Sequence, residues 1–341
     1  MHRPHLCRRS RFPSFLIRVK DTTRTFIILH LAVFLAGWTG VFGRIISLGG
    51  LPLVWYRIQV SVVTLAIVLA VMGRLHKVRL SALLRMAGCG ILLALHWTCF
   101  YLSIQASSIS VGVACIATTC FFTAVFNPLI NRMVNPSVNR SAALWFLSCS
   151  RKKVAAPKTT RSATRIDMAE ILISFISIIG VLLVFSLDVR YRVGIAWGLL
   201  SAAIYSVFAI LNVNEANRTG EDTATMLLWE LVGGVVFLTL CIPLHARLLP
   251  EASIVPTSRD LVSLLLLGSV FTIIPFLFQL QALRKLSAFT VNLTYNLEPV
   301  YSIVIAAILF DEIHEVGPSF WLGLFLIVVS VLLQTWRVSH R

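Results

Sequence analysis

The sequence predicts an all-α integral membrane protein of ten transmembrane helices, arranged as two inverted five-helix repeats. Three observations predict it. First, 57% of the 341 residues are hydrophobic and 13% charged, with a mean hydropathy of +0.86, whereas soluble domains carry about a quarter charged residues. Second, apolar runs of about 20 residues recur, each long enough to cross a hydrocarbon core of roughly 30 Å at about 1.5 Å per residue. Third, the two halves of the chain weakly resemble each other, as expected of transporters built from duplicated units.

The runs fall at about 25–47, 52–73, 83–106, 109–130, 169–187, 193–213, 224–244, 260–282, 286–310 and 317–336. Residues 1–24 are too polar and too few for a domain and read as a basic cytoplasmic N-terminus. Their "CRRSRFPSFL" faintly resembles a twin-arginine export signal, but a first span follows and not a cleavable segment. The first repeat covers 25–187, the second 193–336, and 337–341 is a cytoplasmic tail. Laid over each other, "LVWYRIQVSVV" from Leu53 matches "MLLWELVGGVV" from Met226, which puts Arg57 opposite Glu230. Five is odd, so the second copy enters the membrane from the opposite side. The link between spans four and five, about 131–168, breaks the correspondence. It is a basic cytoplasmic insertion with eight Lys or Arg against one acid, Asp167, where the link between spans nine and ten has about eight residues. Its apolar core "AALWFLSC" is too short to span and reads as a loop or as a segment resting on the inner leaflet.

A net charge of +16 on a soluble protein would raise nucleic acid as a partner. Here the distribution excludes that class: with the N-terminus inside and spans alternating, 24 of the 30 Lys and Arg fall on the inner side, and the last outer loop, "DEIHEVGP", is acidic. The positive-inside rule therefore predicts both termini in the cytoplasm. Seven cysteines, odd in number and without a CxxC, predict neither a disulfide framework nor a metal site. No P-loop, GxGxxG, HExxH or GxSxG occurs, so neither ATP hydrolysis nor a cofactor nor a catalytic constellation is expected.

An ionisable residue at membrane depth is costly unless it faces a cavity or a partner, which makes it a candidate site. Glu298 is the thirteenth residue of span nine, near the midplane. On a helix, Thr294, Tyr295, Tyr301 and Ser302 lie three or four residues from it, with Asn292 and Asn296 on the adjoining sector. Pro299 lacks an N–H, so it breaks the helix and frees the Tyr295 carbonyl one turn away. Such a polar face serves either a binding site or adhesion between helices. His96 is near mid-span, with Trp97 and Tyr101 four apart on one face. Trp38 and Tyr205, in the matching first spans of the halves, are candidates to line a cavity. Arg57 is placed to capture an anion or to snorkel to the headgroups. Arg44 reads as an interfacial anchor and Glu230 as the partner of a cation.

"EPVYSIVIAAILFDEIHEVGPSFWLGLFLIVVSVLL", from Glu298 to Leu333, together with "GWTGVFGRIISLGGLPLVWYR", from Gly37 to Arg57, resembles the EamA-type branch of the drug/metabolite transporter superfamily. The resemblance implies ten helices from two five-helix units, a multi-pass place in the bacterial cytoplasmic (inner) membrane, and ATP-independent export of small metabolites, often amino acids. Arg57 matches the arginine of the family's second span, Pro299 the proline of its ninth, and Asp311 or Glu312 the acid that follows. Asn131–Arg132 stand where the first half should carry the equivalent acid. The expected function is a secondary transporter alternating access around a midplane site. Its partners are a small-molecule solute and membrane lipid, and a homodimer is an admissible assembly. Two other classes stay open: a structural or sensing membrane protein without flux, and an intramembrane enzyme on lipid-linked substrate, which would need a third member beside His96 and Glu298.

Overall fold

The computed structural model describes residues 12–134, 172, 175–176, 179–180, 183, 191–249, 253–283, 294–295, 297–310 and 318–339. Most of the basic link, most of span five, the start of span nine and the acidic loop through residue 317, with Asp311 and Glu312, lie outside the described residues. The described regular elements are helical. They are α1 (Phe12–Gly37), α2 (Thr39–Ile45), α3 (Gly50–Val71), α4 (Leu80–Ala106), α5 (Ile109–Ile116), α6 (Thr119–Val134), α7 (Arg192–Thr219), α8 (Thr223–Leu248), α9 (Ser258–Leu265), a π-helical stretch (Leu266–Ile273), α10 (Ile274–Leu283), α11 (Glu298–Phe310) and α12 (Pro318–Ser339).

Six stretches are long and apolar enough to cross a membrane: Thr23–Ile45, Gly50–Val71, Leu80–Ala106, Arg192–Thr219, Thr223–Leu248 and Ser258–Gln279. They coincide with the first, second, third, sixth, seventh and eighth expected spans. The fourth is not the single helix its hydropathy suggests, because Ile109–Thr123 and Val125–Asn131 meet at 47°. The break falls four residues before Pro128, where the missing N–H and the ring deprive the helix of its bond to residue 124. Helix α1 begins at Phe12, so part of the expected polar N-terminal lead is a helical extension of the first span, which itself turns at Trp38.

Packing between the halves follows a pattern. The first span lies on the eighth and ninth, as the sixth lies on the third and fourth; the second lies on the eighth as the seventh lies on the third; the second and seventh meet each other. Among the described spans, exchanging one to four for six to nine returns the same set. The tightest crossing, α4 on α8, is made by glycines: a Cβ on Gly90 would overlap the Glu230 carbonyl, and one on Gly233 the backbone of Ala87. Ile67, Leu84, Val236, Leu240 and Ile308 point outward as exposed apolar side chains, as a lipid-facing surface requires.

The two ends of α3 are fastened differently. Before its start, the Ser47 N–H and hydroxyl donate to the Asp260 carboxylate at 2.8 and 2.6 Å, and Gln105 Nε2 donates to the Leu48 carbonyl at 2.8 Å. Beyond its other end, Arg74 pairs with Asp222 at 2.7 Å, His76 with Glu221 at 2.7 Å and Arg85 with Glu215 at 2.9 Å.

Candidate functional site

Arg57 sits on α3 and is only 3% exposed, with its guanidinium 4.0 Å above the Trp97 ring and 5.7 Å from that of Tyr101. Trp97 and Tyr101 are one turn apart on α4, so a single helix face supplies both rings. Nη1 donates to the Tyr101 hydroxyl at 3.0 Å, and Nε to Thr272 Oγ1 at 3.2 Å. The Tyr101 hydroxyl in turn donates to the Thr39 carbonyl at 3.2 Å.

Thr272 belongs to the π-helical stretch, and its hydroxyl donates to the Leu267 carbonyl five residues back at 2.6 Å. In the same stretch the Gly268 carbonyl accepts the Ser61 hydroxyl of α3 at 2.9 Å. Phe271 of this stretch packs against Trp38 at 6.0 Å and Phe42 at 5.0 Å. π-Helical departures inside α-helices recur at functional sites. Hydropathy carried no signal for it, since Leu266–Ile273 reads as ordinary apolar helix, and Thr272 and Phe271 were absent from the expected site for that reason.

Helix α11 starts at Glu298 with Pro299 in its first turn, the position where a proline's missing N–H costs nothing. The half-buried carboxylate is within electrostatic reach of Arg57, Tyr205 and Tyr295. Among the described residues it makes neither an ion pair nor a hydrogen bond. Tyr295 donates to the Pro275 carbonyl at 3.3 Å. Tyr301 packs edge-on against Phe34 at 5.9 Å, and Phe34 also meets Trp38 at 6.4 Å. Asn292 and Asn296 lie outside the described residues.

His96 turns from Arg57 toward α7. Its Nδ1 is 3.0 Å from the Ser201 carbonyl and 2.8 Å from the Ser201 hydroxyl, which donates to the His96 carbonyl at 2.9 Å. With that hydroxyl proton committed, Nδ1 carries the ring proton and donates to Ser201. The ring lies 4.7 Å from that of Tyr205, which connects the histidine to the side of the site near Glu298. One expectation is corrected. Glu230 accepts from the neutral amide of Asn212 and pairs with no cation among the described residues, because α7 presents that amide where α8 brings the carboxylate inward. Arg44, although exposed, lies over the Phe310 ring at 5.7 Å.

Asn127–Pro128 on the fourth span corresponds to Glu298–Pro299 on the ninth; Pro128 follows the fourth span's bend by four residues, and Pro299 lies in the first turn of α11. Asn127 accepts from Asn131 at 2.6 Å, and Asn131 from Asn214 of α7 at 2.8 Å. The repeated polar-residue-then-proline pair is a likeness between the halves that the alignment of the second and seventh spans left unused. Among the described residues, no group of three metal-ligating side chains occurs.

Six long apolar helices around an interior that holds Arg57, Glu298 and aromatic rings define a multi-pass membrane protein. Residues 192–336 match the EamA-like transporter family; the first half, with Arg57, lies outside the matched residues. Comparison with curated proteins returns no match. A solved structure described only as "Crystal structure of protein" shares the fold, with a TM-score of 0.55 at 13% identity over 90% of this chain and 96% of that one.

Proposed function

We propose that the protein is a secondary transporter that exports small organic metabolites such as amino acids, with alternating access around the Arg57–Glu298 region. One observation carries the reading: the two halves each contribute a charge of opposite sign to one interior, and the charges do not consume each other in an ion pair. A zwitterion fits that arrangement. Arg57 has N–H groups beyond the two used by Tyr101 and Thr272 to receive a carboxylate, and Glu298 receives an ammonium. Trp38, Trp97, Tyr101, Tyr205 and Tyr295 supply apolar walls, as small-molecule sites require.

The exchange-symmetric packing of the described spans and the matching Asn127–Pro128 and Glu298–Pro299 pairs favour two five-helix repeats of inverted sense, divided near residue 190. The 24-to-6 split of Lys and Arg favours cytoplasmic termini in an inner membrane. The ion pairs favour it too, since they bring the loops at 72–79 and 219–222 to one end. The test is a flux screen: the purified chain in proteoliposomes, loaded with a metabolite library, with and without a pH gradient. Loss of an amino acid or similar zwitterion from the lumen is the expected result. Retention of every solute under both conditions would favour the structural or sensing class instead.

A further inference from the structure

A cavity of about 560 Å³ opens at the end of the bundle that carries the ion pairs, between the start of α4 and the end of α7. Lys77, Arg79, Arg85 and Arg218 line it, together with Ser81 and Glu221. The charges there do not cancel. Glu221 is held by His76, and Arg85 gives only its Nε to Glu215. Lys77, Arg79 and Arg218 form no ion pair with any acid among the described residues. Helix α4 begins in the same wall, with Arg79 at its N-cap, no side-chain cap and no acid in its first turn. The partial positive charge of its first amides is thus added to three uncompensated cations. Beside the opening, Leu80 and Leu84 are exposed apolar side chains on the same helix.

We propose that this cavity binds a phosphate-bearing anion, seated as the head group of an anionic phospholipid whose acyl chains run along Leu80 and Leu84. Multiple N–H donors and a hydroxyl converge on one space, which suits a group with several acceptor oxygens, and arginine forks match phosphate geometry. Basic pockets between spans at the cytoplasmic side bind lipid head groups by this chemistry. The site is at the opposite end of α4 from Trp97 and Tyr101, so it stands independently of the transport reading. An anion there would join the loop after α3 to the end of α7, which at present are held together by partly exposed ion pairs.

The experiment is thermal unfolding of the full chain in neutral detergent, followed by tryptophan fluorescence, against dioleoylphosphatidylglycerol, dioleoylphosphatidylcholine or inorganic phosphate. Stabilisation of the folded state by a bound ligand raises Tm by mass action. Phosphatidylglycerol is expected to raise Tm and phosphatidylcholine, whose choline offsets its phosphate, is not. Lys77→Gln/Arg79→Gln/Arg218→Gln should weaken the apparent affinity by at least about tenfold, while Arg247→Gln, which removes one charge at the other end of the bundle as Arg218→Gln does at the cavity, should leave it unchanged. If the triple variant does not fold, Arg218→Gln alone is measured and should still shift the midpoint to higher lipid. Inorganic phosphate acting as strongly as phosphatidylglycerol would make free phosphate the source of the anion. Neither probe raising Tm, or the pocket variants responding like the parent, would overturn the proposal.

Discussion

Arg57→Gln separates a binding role from a packing role, because the surroundings of Arg57 are built to survive its loss. Its two hydrogen-bond partners each keep another bond: the Tyr101 hydroxyl still donates to the Thr39 carbonyl, and the Thr272 hydroxyl to the Leu267 carbonyl. No buried donor is orphaned. The stacking over Trp97 at 4.0 Å is lost, and so is the desolvation of a charge that is 3% exposed; the two oppose each other. The variant should therefore remain folded, with Tm within a few degrees of the parent. Binding should fare worse, since a charge-assisted hydrogen bond to a substrate carboxylate is worth about 1.5–3 kcal/mol. At roughly 1.4 kcal/mol per factor of ten, KM for the transported solute should rise about ten- to a hundredfold. Arg57→Lys should recover only part of this, because an ammonium keeps the charge but cannot reproduce the fork that reaches Tyr101 and Thr272 together. The assay is proteoliposome flux of the solute identified by the screen, with unfolding measured on the same preparation. A stable Arg57→Gln protein with parental KM would refute the reasoning and reduce Arg57 to a stacking residue.

Glu298→Gln keeps the size of a side chain that makes no hydrogen bond among the described residues and removes its charge, so it should fold, reduce flux by at least about tenfold, a barrier increase of roughly 1.4 kcal/mol, and flatten the pH dependence of what remains. Parental flux with an unchanged pH profile would make the carboxylate a packing element. Gly90→Ala drives a methyl into the Glu230 carbonyl and should cost about 1–3 kcal/mol, seen as lowered Tm; Gly88→Ala, which meets nothing within 4 Å, is the control and should be neutral. His76, outside the spans, has its pKa raised above 6.5 by its hydrogen bond to Glu221 and then by the Arg74 carbonyl. A raised folded-state value means the pair contributes fully below about pH 6.5 and is lost as pH rises through the elevated pKa. His76→Gln should thus narrow the stability difference between mildly acidic and mildly alkaline buffer, and an unchanged difference would show the pair to be inert.

The spans were legible because lipid enforces long apolar helices, and six of them coincide with hydropathy runs. Residue spacing also gave the shared face of Trp97 and Tyr101, since four residues make about one turn whatever lies opposite. Contacts that depend on how helices cross were not legible. The π turn at Leu266–Ile273 is a change of backbone register within an unbroken apolar run, so nothing in the composition marks it. The pairs Arg85–Glu215 and Arg74–Asp222 join residues 130 and 148 positions apart, a distance no periodicity can bridge. The fourth span's bend was announced by Pro128 but hidden by the uniform hydropathy on either side.

The fastening of α3 at its two ends follows from the chemistry of each end. Asp260 accepts four bonds, two from Ser47 and two from Thr257, all from uncharged donors, and its role in the capping box of α9 holds it in place independently of Ser47. Such a junction has no opposite charge for salt to screen. At the other end, Arg74–Asp222 and His76–Glu221 are exposed by a quarter to a half of their side chains and lie within easy reach of counterions. Arg85–Glu215 is different, because Glu215 is 7% exposed and receives Nε at both oxygens. Breaking that pair would strand a carboxylate away from water, whereas breaking its two neighbours would not. The end bearing ion pairs therefore has two contacts that yield to ionic conditions around one that holds. Helix α3, which carries Arg57, is anchored more permanently at the Ser47 end than at the Arg74 end.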